Sequence, residues 1–147
     1  MRVDVVAPDG MVWQGEATSV IVRTTEGDIG ILQDHEPVMA AMVPCAAEVV
    51  TTEGDRKIIA VGGGFISVYD NHVSLLSDTA TLADNISLSE AERALAALKQ
   101  IQDQGELGDR DKRHYYQLEA QVKAGVRYGQ ILHHEPPTGQ PGGVTQG

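Results

Sequence analysis

The period of the apolar residues changes once along the chain, at Ser87, and a sequence with such a break folds as two unlike parts. Before it, short aliphatic and β-branched runs alternate with turn residues: Arg2 to Ala7, Met11 to Gly15, Ser19 to Thr25, Ile29 to Leu32, Val38 to Val43, Ala46 to Thr52, Lys57 to Val61, Phe65 to Tyr69, His72 to Leu76 and Ala80 to Leu82. Pro8-Asp9-Gly10, Glu26-Gly27-Asp28, Glu53-Gly54-Asp55 and Asp70-Asn71 punctuate these runs. Asp70-Asn71 predicts a two-residue hairpin, because both residues tolerate positive φ. Strand after strand with no helical pattern between them predicts residues 1–85 as an all-β N-terminal domain. The expected form is a ten-stranded antiparallel β-sandwich or flattened barrel, and a parallel α/β sheet is excluded.

From Ser87 the pattern is helical. Ser87-Leu88-Ser89-Glu90 reads as a capping box, and Leu88, Ala91, Leu95, Leu98 and Ile101 recur at helical spacing. Gly105-Glu106-Leu107-Gly108 breaks that helix, Asp109 is placed to cap a second, and Tyr115, Leu118, Val122 and Val126 form its stripe. Residues 86–131 are therefore predicted as an antiparallel α-helical hairpin of two segments about 16 residues, or ~24 Å, long. Residues 132–147, with Pro136, Pro137, Pro141 and four glycines among them, carry no apolar period and are predicted as a disordered Pro/Gly-rich tail.

Composition narrows the function. The chain has 147 residues and a formal net charge of −10, with 4% aromatic residues, so phosphate repulsion and a lack of stacking rings argue against nucleic acid. The charge is uneven: residues 1–85 hold 13 acids and 4 bases, residues 86–147 hold 8 acids and 7 bases. The hairpin's cations suit either a solvated face or an acidic partner. No apolar run reaches the roughly 20 residues of a membrane helix, and the first residues lack a basic-then-apolar leader, so a cytoplasmic location is expected. Cys45, the single cysteine, lies in apolar surroundings without a nearby base and reads as a small buried hydrophobe.

Signatures of catalysis are missing: no phosphate loop, nucleophile elbow, H-E-x-x-H or paired C-x-x-C occurs. Gly62-Gly63-Gly64, between two strands, predicts a kink or close backbone approach. The five histidines are dispersed and suggest no metal site; His35, beside Pro37 in a loop, suits a polar contact with a partner.

The segment Gly27-Asp28-Ile29-Gly30-Ile31-Leu32-Gln33-Asp34-His35-Glu36-Pro37-Val38 resembles the pattern G-[DE]-x-G-I-x-x-x-H-x-P of the epsilon subunit of the rotary F-type ATP synthase. Val3 to Pro8, Trp13 to Ala17, Ile59 to Phe65 and Val73 to Ala80 resemble further blocks of that family in the same order. The resemblance implies a non-catalytic subunit of the proton-translocating central stalk, lying on the cytoplasmic face of the cell membrane and meeting the membrane only through the complex. Its partners would be the gamma subunit, the c-ring and the alpha/beta catalytic subunits, and the isolated chain would be a monomer. Gly27, Asp28, Gly30, His35 and Pro37 would contact the c-ring and gamma. Arg93, Lys99, Lys123 and Arg127 would meet an acidic segment of the beta subunit when the hairpin extends to inhibit ATP hydrolysis.

No cofactor is required by this reading, but some members of the family bind regulatory ATP through [IL]-D-x-x-R-A and arginines of the second helix. The matching residues are Glu90, Arg93 and Ala94, with Lys123 and Arg127. Ser89 stands for the aliphatic residue, Glu90 for the aspartate and Lys123 for an arginine, and Lys lacks the fork that grips phosphate. The capping box, of which Glu90 is the last member, is the favoured reading of that residue. The alternative for the whole chain is a free-standing ligand-binding β-sandwich with a helical dimerisation hairpin, which would show a sizeable apolar pocket.

Overall fold

The computed structural model describes residues 1–103, 105 and 108–134. Alternating burial in the first part sorts the chain into β1 (Arg2–Ala7), β2 (Gly10–Thr24), β3 (Gly27–Leu32), β4 (Val38–Met42), β5 (Cys45–Thr51), β6 (Arg56–Val61), β7 (Gly64–Tyr69), β8 (His72–Ser77) and β9 (Ala80–Leu82). The described residues thus hold nine strands where ten were expected. Met11 to Gly15 and Ser19 to Thr25 are one 15-residue strand, β2, which passes through the expected break with a register shift between Ala17 and Ser19. The shift lets a single strand serve two layers. Its first half pairs with β1; its second half pairs with β3 on one side and β5 on the other.

The strand order is β1-β8-β7-β4-β2-β5-β6-β9, with β3 attached to β2 and β1 pairing back onto β2, so the sheet folds over itself as a flattened barrel. One pairing departs from the expected antiparallel sheet: β1 and β8 run parallel, Arg2 opposite His72 through Val6 opposite Leu76. Between the layers lie Val3, Val5, Val20, Ile31, Val49, Ile59, Val61, Ile66, Val73 and Leu75, all fully buried and almost all β-branched. The hairpin at Asp70-Asn71 forms as expected, with φ of 49° and 59°. Gly64 shows why the glycine run is there. Its φ is 137°, and a Cβ on it would strike the carbonyl of Leu76.

A 3-10 turn (Ala83–Asn85) leads into α1 (Leu88–Asp103), and α2 (Asp109–His134) follows. Ser87 opens α1 by accepting the Ala91 N–H at 3.0 Å. At α2 the carbonyl that does this belongs to Gly108, which accepts the Lys112 N–H at 2.9 Å, so Asp109 is the first helical residue rather than the cap. α2 runs three residues past the expected end of the hairpin, and 135–147 of the expected tail lie outside the described residues.

The two helices do not share the work of docking. α2 lies on the outer face of β5 and β6, where Ala120 and Ala124 meet Ile58, Ala60 and Ala83, with Ala46, Ile86, Tyr128 and Ile131 at the margin. α1 packs on α2: Leu88 lies against Gly125, where a Cβ would come within 3.1 Å of its Cδ1. Of the expected stripes, Leu118 and Ala91 are buried, whereas Val126 and Ile101 are exposed.

Candidate functional site

β3 positions the residues picked out from the glycine-rich segment, and it separates them into two groups. Gly27 closes the β2–β3 turn with φ of 114°, and the Thr24 hydroxyl donates to the Gly27 carbonyl at 2.7 Å. Asp28 stands directly opposite Arg23, and the Arg23 Nε–H donates to its Oδ1 at 2.8 Å. Hydrogen bonding and the charge of that guanidinium hold the Asp28 carboxyl below the usual carboxylate range, and Asp28 in turn raises Arg23. Both side chains are exposed, so the pair leaves a fixed carboxylate in water at the edge of the sheet. Gly30, two residues on, has open space above it, so no contact among the described residues requires glycine there.

His35 and Pro37 lie past the far end of β3, separated from Asp28 by ~14 Å of extended strand between Asp28 and Leu32. Their loop is tied to the β7–β8 hairpin: the Asp34 N–H donates to Asn71 Oδ1 at 2.6 Å and the Asn71 amide returns a bond to Asp34 Oδ1 at 2.9 Å. The ring Nδ1 of His35 is 2.6 Å from the Glu36 carbonyl, which fixes the imidazole within its own loop. The five residues expected to meet the ring and gamma therefore form two poles of one strand, each built rigidly.

A third surface was missed in the sequence. On the outer face of the layer without a helix, Met11, Val6, Leu76, Phe65 and Ala41 are successive register partners across β2, β1, β8, β7 and β4. Register partners share a face. Met11, Leu76 and Phe65 are 52%, 49% and 54% exposed, so the row is apolar and open. Beside it Asp4 accepts from Gln14 Nε2 at 3.1 Å, and His72 Nε2 lies 2.7 Å from its other oxygen. The available signal was Phe65, the one Phe of the chain, at an outward position in the alternation of GFISVY.

The hairpin residues divide by helix. Glu90, Arg93 and Lys99 are exposed on α1, where Ala94 is half-buried. Arg127 on α2 reaches the sandwich, and its Nε–H and Nη2–H donate to the two carboxylate oxygens of Glu48 at 3.1 and 3.3 Å. Lys123 lines a groove of about 280 Å³ with Ile21, Arg23, Asp28, Cys45 and Glu48, and no α1 residue borders it. Glu90 and Arg93 are thus on a different helix from Lys123 and Arg127, which are turned to the β2–β5 side. Burial pushes the Cys45 thiol up, with the Arg23 N–H at 3.5 Å from its sulfur acting in the opposite sense. The groove beside Lys123 carries Arg23, Asp28 and Glu48 in its lining, unlike an apolar ligand pocket.

Comparison with known proteins decides the family. The sequence pattern described as "ATP synthase, Delta/Epsilon chain, beta-sandwich domain" matches residues 1–83. The chain is 43% identical over 112 residues to the ATP synthase epsilon chain of Cutibacterium acnes, covering 76% of this chain and 77% of that one. The chain belongs to the ATP synthase epsilon family. With the epsilon chain of Streptomyces griseus it shares 46% identity over 103 residues, 70% of this chain and 83% of the relative.

Two solved assemblies contain chains with the same fold. A chain of the Euglena gracilis mitochondrial ATP synthase, solved with OSCP, F1 and c-ring, superposes with a TM-score of 0.63 at 22% identity, over 89% of this chain and 80% of that one. A chain from the central stalk and c-ring of the Tetrahymena thermophila enzyme gives 0.53 at 14% identity, over 87% and 95%. At such identities the likeness concerns the fold. As an epsilon chain the protein is a subunit of an enzyme complex. Among the described residues no helix is long and apolar enough to cross a membrane.

Proposed function

We propose that this epsilon chain is a non-catalytic coupling part of the rotor, clamped to the gamma subunit by the bare sheet face and set on the c-ring by the β2–β3 end. The observation that carries the reading is the open apolar row Met11-Val6-Leu76-Phe65-Ala41 on a face that, among the described residues, no helix covers. A part that transmits torque needs a broad contact on a stiff support, and a row borne by five paired strands supplies both. Gly27, Asp28 and Gly30 offer the ring a fixed carboxylate beside open backbone, and His35 and Pro37 shape the opposite pole against ring and gamma. The open space above Gly30 suits a partner that approaches the backbone closely.

The hairpin is the regulatory part. Docked, it covers β5 and β6; extended, it would present Arg93, Lys99, Lys123 and Arg127 to an acidic segment of the beta subunit and inhibit ATP hydrolysis. Attachment to the complex would hold the chain at the cytoplasmic face of the membrane. A regulatory ATP of the kind some members of the family bind would have to draw Arg127 off Glu48, and its candidate residues are split between Glu90, Arg93 and Ala94 on α1 and Lys123 and Arg127 on α2.

Affinity purification of the tagged chain in gentle detergent tests the assignment. Gamma, c-ring and catalytic subunits are expected to co-elute, and Phe65→Glu with Leu76→Glu is expected to abolish co-elution while the variant still folds. Unchanged co-elution of that folded variant would refute the clamp.

A further inference from the structure

Glu48 occupies a place where an acid is unexpected. It stands at the middle of β5, directly opposite Ile21 and Ile58 on its two flanking strands, on the outer face that α2 covers with alanines. An apolar residue there would extend the greasy contact. Instead the carboxylate is 21% exposed, held by the Arg127 fork at 3.1 and 3.3 Å, with Arg56 Nη1 at 3.9 Å from the same group and Lys123 in the adjoining groove. Among the described residues this is the one ion pair that joins the hairpin to the sandwich, and it links positions 79 apart in sequence.

We propose that Glu48 and Arg127 form a latch that holds the hairpin docked, and that anionic partners release it by taking Arg127 from Glu48. Three observations converge on this. The apolar part of the interface is modest, because the fully buried residues on its helix side are Ala120 and Ala124, with Tyr128 and Ile131 only partly buried, so one bidentate pair is a substantial share of what holds it. Arg127 is 38% exposed and so open to a new partner, and Arg56 at 3.9 Å stays beside Glu48 when Arg127 leaves, which limits the penalty of stranding that charge. Glu48 takes up the Nε–Nη2 edge of Arg127, so an acidic partner that grips this same edge competes with docking. The inference rests on the hairpin reading above, naming what regulates it.

Hydrogen exchange of α2 amides in the isolated full-length chain tests the latch, because a helix draws most of its stability from tertiary packing and loses protection when undocked. Glu48→Gln and Arg127→Gln are each expected to speed exchange across α2 by about three- to tenfold, with the double variant no faster than either single. Raising salt from about 0.05 to about 0.5 M should speed exchange in the original chain and leave Glu48→Gln unmoved. Arg127→Lys, which keeps the charge and loses the fork, should fall between, and it serves the test if a change on β5 disturbs folding. Exchange within twofold of the original chain in both Gln variants, or independent effects that multiply in the double, would overturn the latch. Faster α2 exchange with unaltered ATP hydrolysis in the assembled enzyme would uphold the latch and refute the inhibitory reading, so the two failures are distinguishable.

Discussion

β6 borders two interiors that differ in kind. Ile59 and Val61 point between the layers into a core of Val, Ile and Leu, while Ile58 and Ala60 point outward under α2 and meet Ala120 and Ala124. Each large aliphatic side chain of the first interior contributes about 1.5–3 kcal/mol by leaving water, and an alanine methyl contributes less than about 1 kcal/mol. One strand therefore carries a permanent seam on one face and a weak seam on the other. The lesson is that strength and reversibility are set by residue size at matched positions, within a single continuous fold.

The largest effect should come from the permanent seam. Leu75→Ala, at a position with no solvent exposure, is expected to cost about 2–5 kcal/mol and to shift the urea midpoint of the whole chain. A loss confined to the helices would break the comparison. Ala124→Glu in the weak seam should do the reverse: the hairpin is released, seen as loss of α2 protection from exchange, while the sandwich loses less than about 0.5 kcal/mol. If the sandwich melts with it, the two interiors are one.

Smallest of all should be the effect of the exposed β2–β3 pair on stability. Asp28→Asn is expected to leave the unfolding midpoint unchanged while weakening ATP-driven proton pumping of the assembled enzyme, and normal pumping would remove Asp28 from the ring contact. By nuclear magnetic resonance, Asp28 should titrate below the ordinary carboxylate range, and Arg23→Gln should return it upward. Because the folded value is depressed, any stabilisation from this carboxylate is present above its unfolded value and lost as pH falls through the folded one.

Much of this was legible in local pattern. The break at Ser87, the hairpin at Asp70-Asn71 and the close approach at Gly64 all follow from residues within a few positions of each other. What escaped depends on distant pairing. Gly15 looked like a strand end, yet it stays in β2 because it pairs with Val3 of β1, and the Trp13 ring packs where its side chain would be. The parallel pairing of β1 with β8 joins the chain's beginning to residues near 75, and no periodicity reports such a partner. The apolar row is assembled from five strands, so only the outward Phe65 hinted at it. Glu48 was invisible as a latch because Arg127 lies a whole domain away in sequence. The segment around His35 divides into two groups for a simpler reason: a strand holds its two ends apart.

The most direct test is thermal unfolding of residues 1–86 as a separate chain beside the full-length protein. If the sandwich stands by its own interior, the short chain unfolds cooperatively with a Tm within about 10 °C of the sandwich transition in the full chain. A short chain that shows no cooperative transition would contradict the account.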